Sequence, residues 1–259
     1  MTAPDDKAPA SVKTSTDPRV IQVWDLPVRI FHWVLVLLFI AAYVTNELGP
    51  TYFQYHVWCG YSLIVLVCFR IIWGFIGTYH ARFSHFVRNP VTTLKYALNT
   101  LKGTEKHYTG HNPLGAIMVI VLLLGSLIQG LTGLFTNDEI LNVGPLYGYI
   151  SNELSLQLTS IHRQLFYWIL GAVALHVVAV LVHQFVKRDN IIVPMFNGKK
   201  VFSGEKIKKD DGLENDELEQ VSIKSSQIIL ALIIVAILAL VLAWVITHAP
   251  EASLSIEEY

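Results

Sequence analysis

Ile161–His183 reads IHRQLFYWILGAVALHVVAVLVH, an apolar stretch that carries His162, His176 and His183. Its length and composition predict a helix that crosses a membrane. His162 and His176 are fourteen residues apart, so at about 3.6 residues per turn both imidazoles leave one face of the helix, roughly 21 Å apart along its axis. Two imidazoles inside a membrane helix are costly unless something binds them. The rest of the chain is therefore expected to supply partners at the two matching depths.

The composition of the whole chain is that of a membrane protein. Of its 259 residues, 53% are hydrophobic and 15% are charged, and the formal net charge of −1 gives no indication of nucleic-acid binding. Five hydropathy maxima are each long enough to cross about 30 Å of hydrocarbon as a helix. They cover residues 28–44, 53–76, 114–135, 158–186 and 227–246. We therefore expect an all-α integral membrane protein with a four-helix bundle and a fifth, C-terminal transmembrane helix.

Lysine and arginine are distributed unevenly between the loops. Residues 46–51 and 136–157 contain neither, whereas residues 78–112 contain five, and KRDN and GKK follow the fourth apolar stretch. By the positive-inside rule, the N-terminus, the second loop and the linker before the fifth helix are cytoplasmic, and the C-terminus is periplasmic. Within the second loop, Pro90 can start a short interfacial helix over Val91–Leu101. The expected location is the bacterial inner (plasma) membrane.

Four segments follow from the composition. A disordered cytoplasmic tail (1–20) precedes the four-helix domain (21–200), and a charged cytoplasmic linker (201–225) leads to the fifth helix with its short outer tail (226–259). The first 27 residues contain no cleavable signal peptide, so the first span is expected to direct insertion. Cys59 and Cys68 lie nine residues apart in the second span and are expected to be small core residues.

The alternating helix directions place four histidines in two pairs. His56, near the outer end of the second helix, matches the depth of His162, and His32, near the cytoplasmic end of the first, matches His176. Each pair predicts one b-type haem with both axial positions filled by imidazole, which suits electron transfer rather than oxygen binding. A single buried histidine often only bonds a carbonyl, and zinc is a weaker alternative because it usually needs three or four ligands at one level.

Three arginines lie near the paired histidines. Arg29 is one turn before His32, Arg163 adjoins His162, and Arg70 falls at the inner level of the second helix. Guanidinium groups pair well with carboxylates in a low dielectric, so these residues are candidate partners of haem propionates. The alternative for each is an interfacial side chain that reaches toward water.

The cytoplasmic rim carries further candidates. His183 lies seven residues past His176, and Gly110, His111 and Asn112 precede Pro113 at the start of the third span. These residues are a possible quinone zone. The alternatives are an interfacial histidine at His183 and a helix-capping turn before Pro113.

Several of these segments together resemble the bacterial di-haem cytochrome b family. That family includes the prokaryotic cytochrome b561 proteins and the b-type cytochrome subunits of nickel–iron hydrogenases, and formate dehydrogenase membrane subunits share its build. The resemblance covers roughly Val23–Lys200 and is carried by WDLPVRIFHW (24–33), RIIWGFIG (70–77) with ARF (81–83), GHNPLGAIM (110–118), TGLF (132–135) and the His-x13-His of the fourth span.

The resemblance implies a four-helix core with two bis-histidine haems, and it puts their ligands at His32, His56, His162 and His176. It also implies electron exchange with quinone near the inner haem, which favours Gly110–Asn112 and His183 as the quinone zone. The fifth helix and the acidic tail depart from the four-span members, so the identity of the redox partner does not carry over.

The residues and the resemblance lead to one main interpretation. The chain is expected to move electrons through two haem b groups between quinone and an external partner, such as a c-type cytochrome, a hydrogenase-like protein or another oxidoreductase subunit. The acidic pair Asp138 and Glu139 could dock a basic partner or simply be solvated. One rival is a stand-alone quinone oxidoreductase that uses a small outer substrate such as superoxide. A second is a haem-free membrane anchor or transporter.

Overall fold

The structure is a computed structural model that describes residues 19–104, 108–140, 142–202, 222–223 and 225–250. Within that part of the chain, five helices are long and apolar enough to cross a membrane, which confirms the predicted spans and the all-α membrane fold. In chain order the helices are α1 (Leu26–Glu47), α2 (Phe53–Ile76), α3 (Phe83–Phe86), α4 (Pro90–Leu101), α5 (Pro113–Gly133), α6 (Asn152–Leu181), α7 (Ile192–Asn197) and α8 (Ile228–Thr247).

Local sequence signals fix where the transmembrane helices begin. Asp25 caps α1, its carboxylate accepting from the backbone N–H of Val28 at 2.7 Å, and a proline follows in the first turn. Asn112 caps α5 in the same way, its side-chain oxygen accepting from Gly115 at 2.7 Å. Proline in the first turn lacks only an N–H that would have no intrahelical partner. The helix-capping turn, which was the alternative interpretation of the residues before Pro113, is therefore confirmed, and Asp25 has the same role in α1.

The four N-terminal spans form a bundle in which neighbours in sequence are neighbours in space. Helix α1 packs on α2, α2 on α5, and α5 on α6. The α1–α2 contact is the best buried, with Val67 and Trp73 fully enclosed. Helix α6 packs mainly on α5, and it faces α1 through aromatic side chains, since the Phe166 ring stacks against Phe39 and Tyr43 at 5.8 and 5.5 Å. The histidine-bearing face of α6 lies on this side.

The fifth span, α8, packs on the outer side of α2 and touches α1. Its far end is attached to the loop between α5 and α6, where the Tyr149 hydroxyl donates to the carbonyl of His248 at 3.4 Å and Gly148 lies against Pro250. Helix α8 thus supports the bundle at α2.

Two short strands join the two ends of the four-helix domain and were not predicted. Strand β1 (Arg19–Gln22) pairs antiparallel with β2 (Lys199–Phe202). Beyond the strands, the backbone N–H groups of Val23 and Trp24 donate to the carbonyl oxygen of Gly198 at 2.8 and 3.1 Å. The strands cross both expected domain boundaries, at 20/21 and 200/201. Most of the expected linker and terminal tails lies outside the described residues.

The segments outside the spans include one confirmed prediction and one unexpected turn. Helix α4 matches the short helix expected after Pro90, with Asn89 as its cap. The end of α6 continues as a π-helical turn over Val182–Val186, which contains His183. Such turns place an extra residue in the helix and often occur beside functional sites.

Candidate functional site

The structure brings His56 of α2 and His162 of α6 together. The centres of their rings are 6.3 Å apart, and the ring planes are nearly perpendicular, at 86°. Rings bound to opposite sides of one metal ion have centres roughly 6 Å apart, because each metal–nitrogen bond is about 2 Å and each nitrogen lies about 1 Å from its ring centre. This separation fits two axial ligands of one iron.

Hydrogen bonds fix the protonation of both outer rings. Nδ1 of His56 lies 2.8 Å from the carbonyl oxygen of Ala42, and Nδ1 of His162 lies 2.9 Å from that of Gln129. A carbonyl only accepts, so each Nδ1 carries the proton and donates it. Each Nε2 is then unprotonated and carries the lone pair that a metal could bind. Histidine ligands of metals are commonly oriented in this way by a bond from the other ring nitrogen.

Sequence reasoning missed the polar residues of α5 that surround His162. The Gln129 amide nitrogen lies 3.2 Å from Nε2 of His162, and the Thr132 hydroxyl lies 3.3 Å from Nδ1. Iron at Nε2 therefore requires the Gln129 amide to turn away. The Oε1 atom of Gln129 is buried without a partner in the described structure, so little holds the amide in place. A glutamine within an apolar span was the signal that could have identified it.

The second pair lies at the other end of the bundle. His32 of α1 and His176 of α6 are close enough to interact electrostatically. Nδ1 of His32 is buried and has no hydrogen-bond partner among the described residues. A buried, unpaired ring nitrogen is costly, so Nδ1 of His32 has a polar requirement that the described residues do not meet.

Space beside His56 and the number of nearby metal-binding side chains both indicate which group the site could hold. A Cβ added at Gly60, one turn from His56, would meet nothing within 4 Å, so there is room for a flat group beside that ring. In the part of the chain that the structure describes, no three side chains of the histidine, cysteine, aspartate or glutamate types converge on one point. A bare zinc ion usually needs that many. The residues present therefore fit paired axial ligation of haem better than zinc.

Arg70 is the most deeply buried of the three candidate arginines. Its side chain is 3% exposed, its guanidinium lies 5.3 Å from the centre of the Phe83 ring, and Nη1 is buried without a partner in the described structure. Asp25 is close enough to attract it. A buried guanidinium with an unused N–H group is suited to bind an anionic carboxylate.

The other two arginines are more accessible. Arg29 donates from Nη1 to the carbonyl of Phe196, while its Nε is buried without a partner among the described residues. Arg163 is exposed and lines an outer groove with Asn137 and Glu139, beside His162. Arg29 thus belongs to the inner end of the bundle and Arg163 to the outer end.

The possible quinone zone divides into two parts. The ring of His111 lies 4.7 Å from Trp24 and 4.8 Å from Phe86, and its Nδ1 is buried without a partner in the described structure. Burial lowers the pKa of His111 to about 3, with a further contribution from Arg70, so the ring is neutral at physiological pH. His32 and His176 are also near enough to interact with it. His111 therefore borders the inner pair.

The remaining residues of that zone have other local roles. The side-chain oxygen of Asn112 is occupied by the cap of α5. A Cβ at Gly110 would lie 3.4 Å from Nδ1 of His80, which places this glycine close to a histidine that the sequence analysis did not single out. His183 lies on the π-helical turn, where its ring is 4.0 Å from Asp189.

Comparisons with known proteins identify the family of the chain. A family model described as prokaryotic cytochrome b561 matches residues 23–198, more than half of the chain. Curated relatives named probable Ni/Fe-hydrogenase B-type cytochrome subunit include those of Azotobacter chroococcum and Azotobacter vinelandii, each 25% identical over 72% of this chain and 90% of the relative. The Escherichia coli K12 relative, with the same description for hydrogenase 1, is 26% identical over 68% of this chain and 88% of its own length.

No solved structure matches the chain, so its family rests on sequence. The family model covers the four N-terminal spans and both histidine pairs and ends before α8. The chain belongs to the prokaryotic cytochrome b561 family, and it is accordingly a multi-pass membrane protein that binds haem b and transfers electrons.

Proposed function

We propose that the chain carries electrons across the inner membrane through two b haems. His56 and His162 hold the outer one, and His32 and His176 hold the inner one. The observation that supports this best is the 6.3 Å separation of the His56 and His162 rings, together with the Nδ1 bonds that keep the ring proton off both Nε2 atoms. Haem iron with two imidazole ligands supplies reversible one-electron transfer and has no open position for oxygen.

The protein supplies orientation, charge and a dry environment at each site. Backbone carbonyls of Ala42 and Gln129 hold the outer rings in one tautomer. We assign Arg70 and Arg29 to propionates of the inner haem and Arg163 to the outer one, because guanidinium binds carboxylate well. Arg29 is one turn before His32, Arg163 adjoins His162, and Arg70 interacts with His111. The apolar spans exclude water, which strengthens these charge interactions.

The inner site is proposed to exchange electrons with quinone. His111 supports this because it borders the inner pair, is neutral, and has an unpaired buried nitrogen that can bond a quinone oxygen. Gly110 lies beside it. In this proposal Asn112 has a structural role, because it caps α5. His183 lies near Asp189 at the cytoplasmic rim of the bundle. The outer site is proposed to serve a periplasmic or membrane redox partner.

The relatives are named as hydrogenase cytochrome subunits, so a redox-enzyme subunit is the partner that we propose first, with a c-type cytochrome as the second. By the positive-inside rule the N-terminus is cytoplasmic and the C-terminus periplasmic. The four-helix domain holds both haems, and the fifth helix supports it from outside.

Paired substitutions test this assignment. The full chain is purified, and haem is counted by the pyridine haemochrome method together with a reduced-minus-oxidised spectrum. We expect two haems in the wild type and one after either His162→Ala or His176→Ala. The double variant His56→Ala/His162→Ala is expected to keep one haem, because both changes fall on one site, whereas His162→Ala/His176→Ala is expected to keep none. His248→Ala, at the end of α8, is the matched control and keeps two.

The double variants also decide how the histidines are paired. If His56→Ala/His162→Ala lost both haems while His56→Ala/His176→Ala kept one, the pairing would be wrong. If every single variant kept two low-spin haems, the ligand assignment as a whole would be wrong.

A further inference from the structure

Two fully buried side chains of opposite charge lie at the inner end of the bundle. Asp25 is 1% exposed and Arg70 is 3% exposed, and they attract each other. Removing charges from water is expensive, and a buried pair is often replaceable by apolar residues without loss of stability. Charged groups inside a membrane protein therefore indicate a function other than stability alone.

The surroundings of Asp25 fit a carboxylate. Its Oδ1 accepts from the N–H of Val28 at 2.7 Å, and its Oδ2 accepts from the indole N–H of Trp73 at 3.0 Å and the hydroxyl of Thr78 at 2.5 Å. All three partners are donors, and only the ionised carboxyl group accepts at every position without carrying a proton of its own. The same bonds hold the start of α1 against the end of α2.

Both charges lie at the inner end of the bundle, Asp25 through its position on α1 and Arg70 through its interaction with His111. Asp25 precedes His32 by seven residues of chain, almost two helical turns, which is about 10 Å along one face of α1. Arg70 acts electrostatically on His111, and so do His32 and His176. The outer histidine of α2, His56, is fourteen residues from Arg70, roughly 21 Å along that helix.

We propose that Asp25 and Arg70 set the reduction potential of the inner haem through their opposite charges. The inference rests on the proposed function, in which His32 and His176 hold that haem. A buried carboxylate stabilises the more positive, oxidised state of a nearby centre, and a buried guanidinium stabilises the reduced state. The two residues therefore act in opposite directions on one site.

Potentiometric titration of the full chain in lipid nanodiscs, followed by haem absorbance, tests the proposal. At an effective dielectric constant near 20, removing a unit charge about 10 Å from the haem changes the equilibrium between its reduced and oxidised forms roughly tenfold. At a fixed potential we therefore expect Asp25→Asn to raise the ratio of reduced to oxidised inner haem by about tenfold. Arg70→Gln is expected to lower the same ratio, and by more than Arg70→Lys does, because lysine keeps the positive charge.

A matched control separates charge from structure. Thr78→Val removes one hydrogen bond from Asp25 but no charge, so the inner potential should stay near that of the wild type. The inner component is identified as the one that His176→Ala removes. If Asp25→Asn does not accumulate as folded protein, the comparison of Arg70→Gln with Arg70→Lys decides the question.

The outcomes distinguish this inference from the function on which it rests. Three results would overturn the inference while leaving two haems in place. Asp25→Asn could shift the reduction potentials of both haems equally, or neither the Asp25 nor the Arg70 variants could shift the inner potential. Thr78→Val could also shift the inner potential as much as Asp25→Asn does. A wild-type chain that binds a single haem by the pyridine haemochrome count would instead contradict the two-haem function, and the inference would fall with it.

Discussion

The backbone at Gly133 lies directly against the ring of His162: a Cβ added at Gly133 would come within 3.0 Å of Cε1 and 3.3 Å of Nδ1. Helices α5 and α6 therefore approach so closely at the outer site that a side chain larger than glycine would require the imidazole to shift by a few tenths of an ångström. The same closeness lets the Nδ1–H of His162 reach the carbonyl of Gln129. The orientation of this ring thus depends on a residue that has no side chain.

Gly133→Ala is expected to loosen the outer site selectively. The added methyl must displace the His162 ring, and overpacking of this kind costs about 1–3 kcal/mol. We expect partial or complete loss of one haem, measured by haem count and by the reduced-minus-oxidised spectrum. Gly171→Ala is the control, since a Cβ there meets nothing within 4 Å. Equal haem content in the two variants would contradict the prediction.

The Gln129 side chain is expected to oppose ligand binding at His162. Its amide bonds the Nε2 atom, and a hydrogen bond of this kind contributes about 1 kcal/mol. Gln129→Leu removes that competitor but keeps the backbone carbonyl that orients the ring. Reconstitution of haem-depleted protein should therefore show roughly fivefold tighter binding at the outer site, measured by haem titration.

The result of that titration separates two roles. Weaker binding in Gln129→Leu would mean that the amide supports the loaded site, and the prediction would be wrong. Thr132→Val is a useful comparison, because the Thr132 hydroxyl lies at Nδ1, 3.3 Å away, and does not block Nε2. Its substitution is expected to leave the affinity unchanged within about twofold.

The sequence predicted the helices and the depths of the histidines because both follow from local periodicity. A helix rises by a fixed amount per residue, so His162 and His176 could be assigned to two levels before any neighbour was known. Helix caps such as Asp25 are equally local, since the acceptor and the first-turn N–H groups are three residues apart.

The features that were missed depend on how separate segments meet. The bond between Gln129 and His162 joins residues 33 positions apart, and its existence depends on the rotation of α5 relative to α6. The pairing of β1 with β2 joins the two ends of the four-helix domain, and such short strands carry little pattern of their own. The side-chain bonds of Asp25 to Trp73 and Thr78 also required the tertiary structure.

The proposed orientation predicts the result of reporter fusions. Alkaline phosphatase, which is active only outside the cytoplasm, is fused after Thr104, Asn142 or Asp189. Because basic loops stay cytoplasmic, the fusion at Asn142 should be active and the other two inactive. Green fluorescent protein fused at the same positions is the control and should give the opposite pattern. Activity at Thr104 or Asp189 would reverse the assigned topology.

Helix α4 is expected to lie in the membrane interface. Its buried side chains, Thr93 and Tyr96, face the bundle, while an exposed apolar stripe that includes Leu94 and Leu98 points away from it. Basic residues flank this stripe. The apolar side chains can therefore contact acyl chains while the basic residues contact anionic lipid headgroups.

A spin label at Leu98→Cys, in a background without the two native cysteines, should be more accessible to oxygen than to a water-soluble nickel complex. A label at Asn99→Cys, on the polar side, should show the reverse. If both labels had the accessibility of bulk water, α4 would be a solvated helix and the interfacial prediction would be wrong.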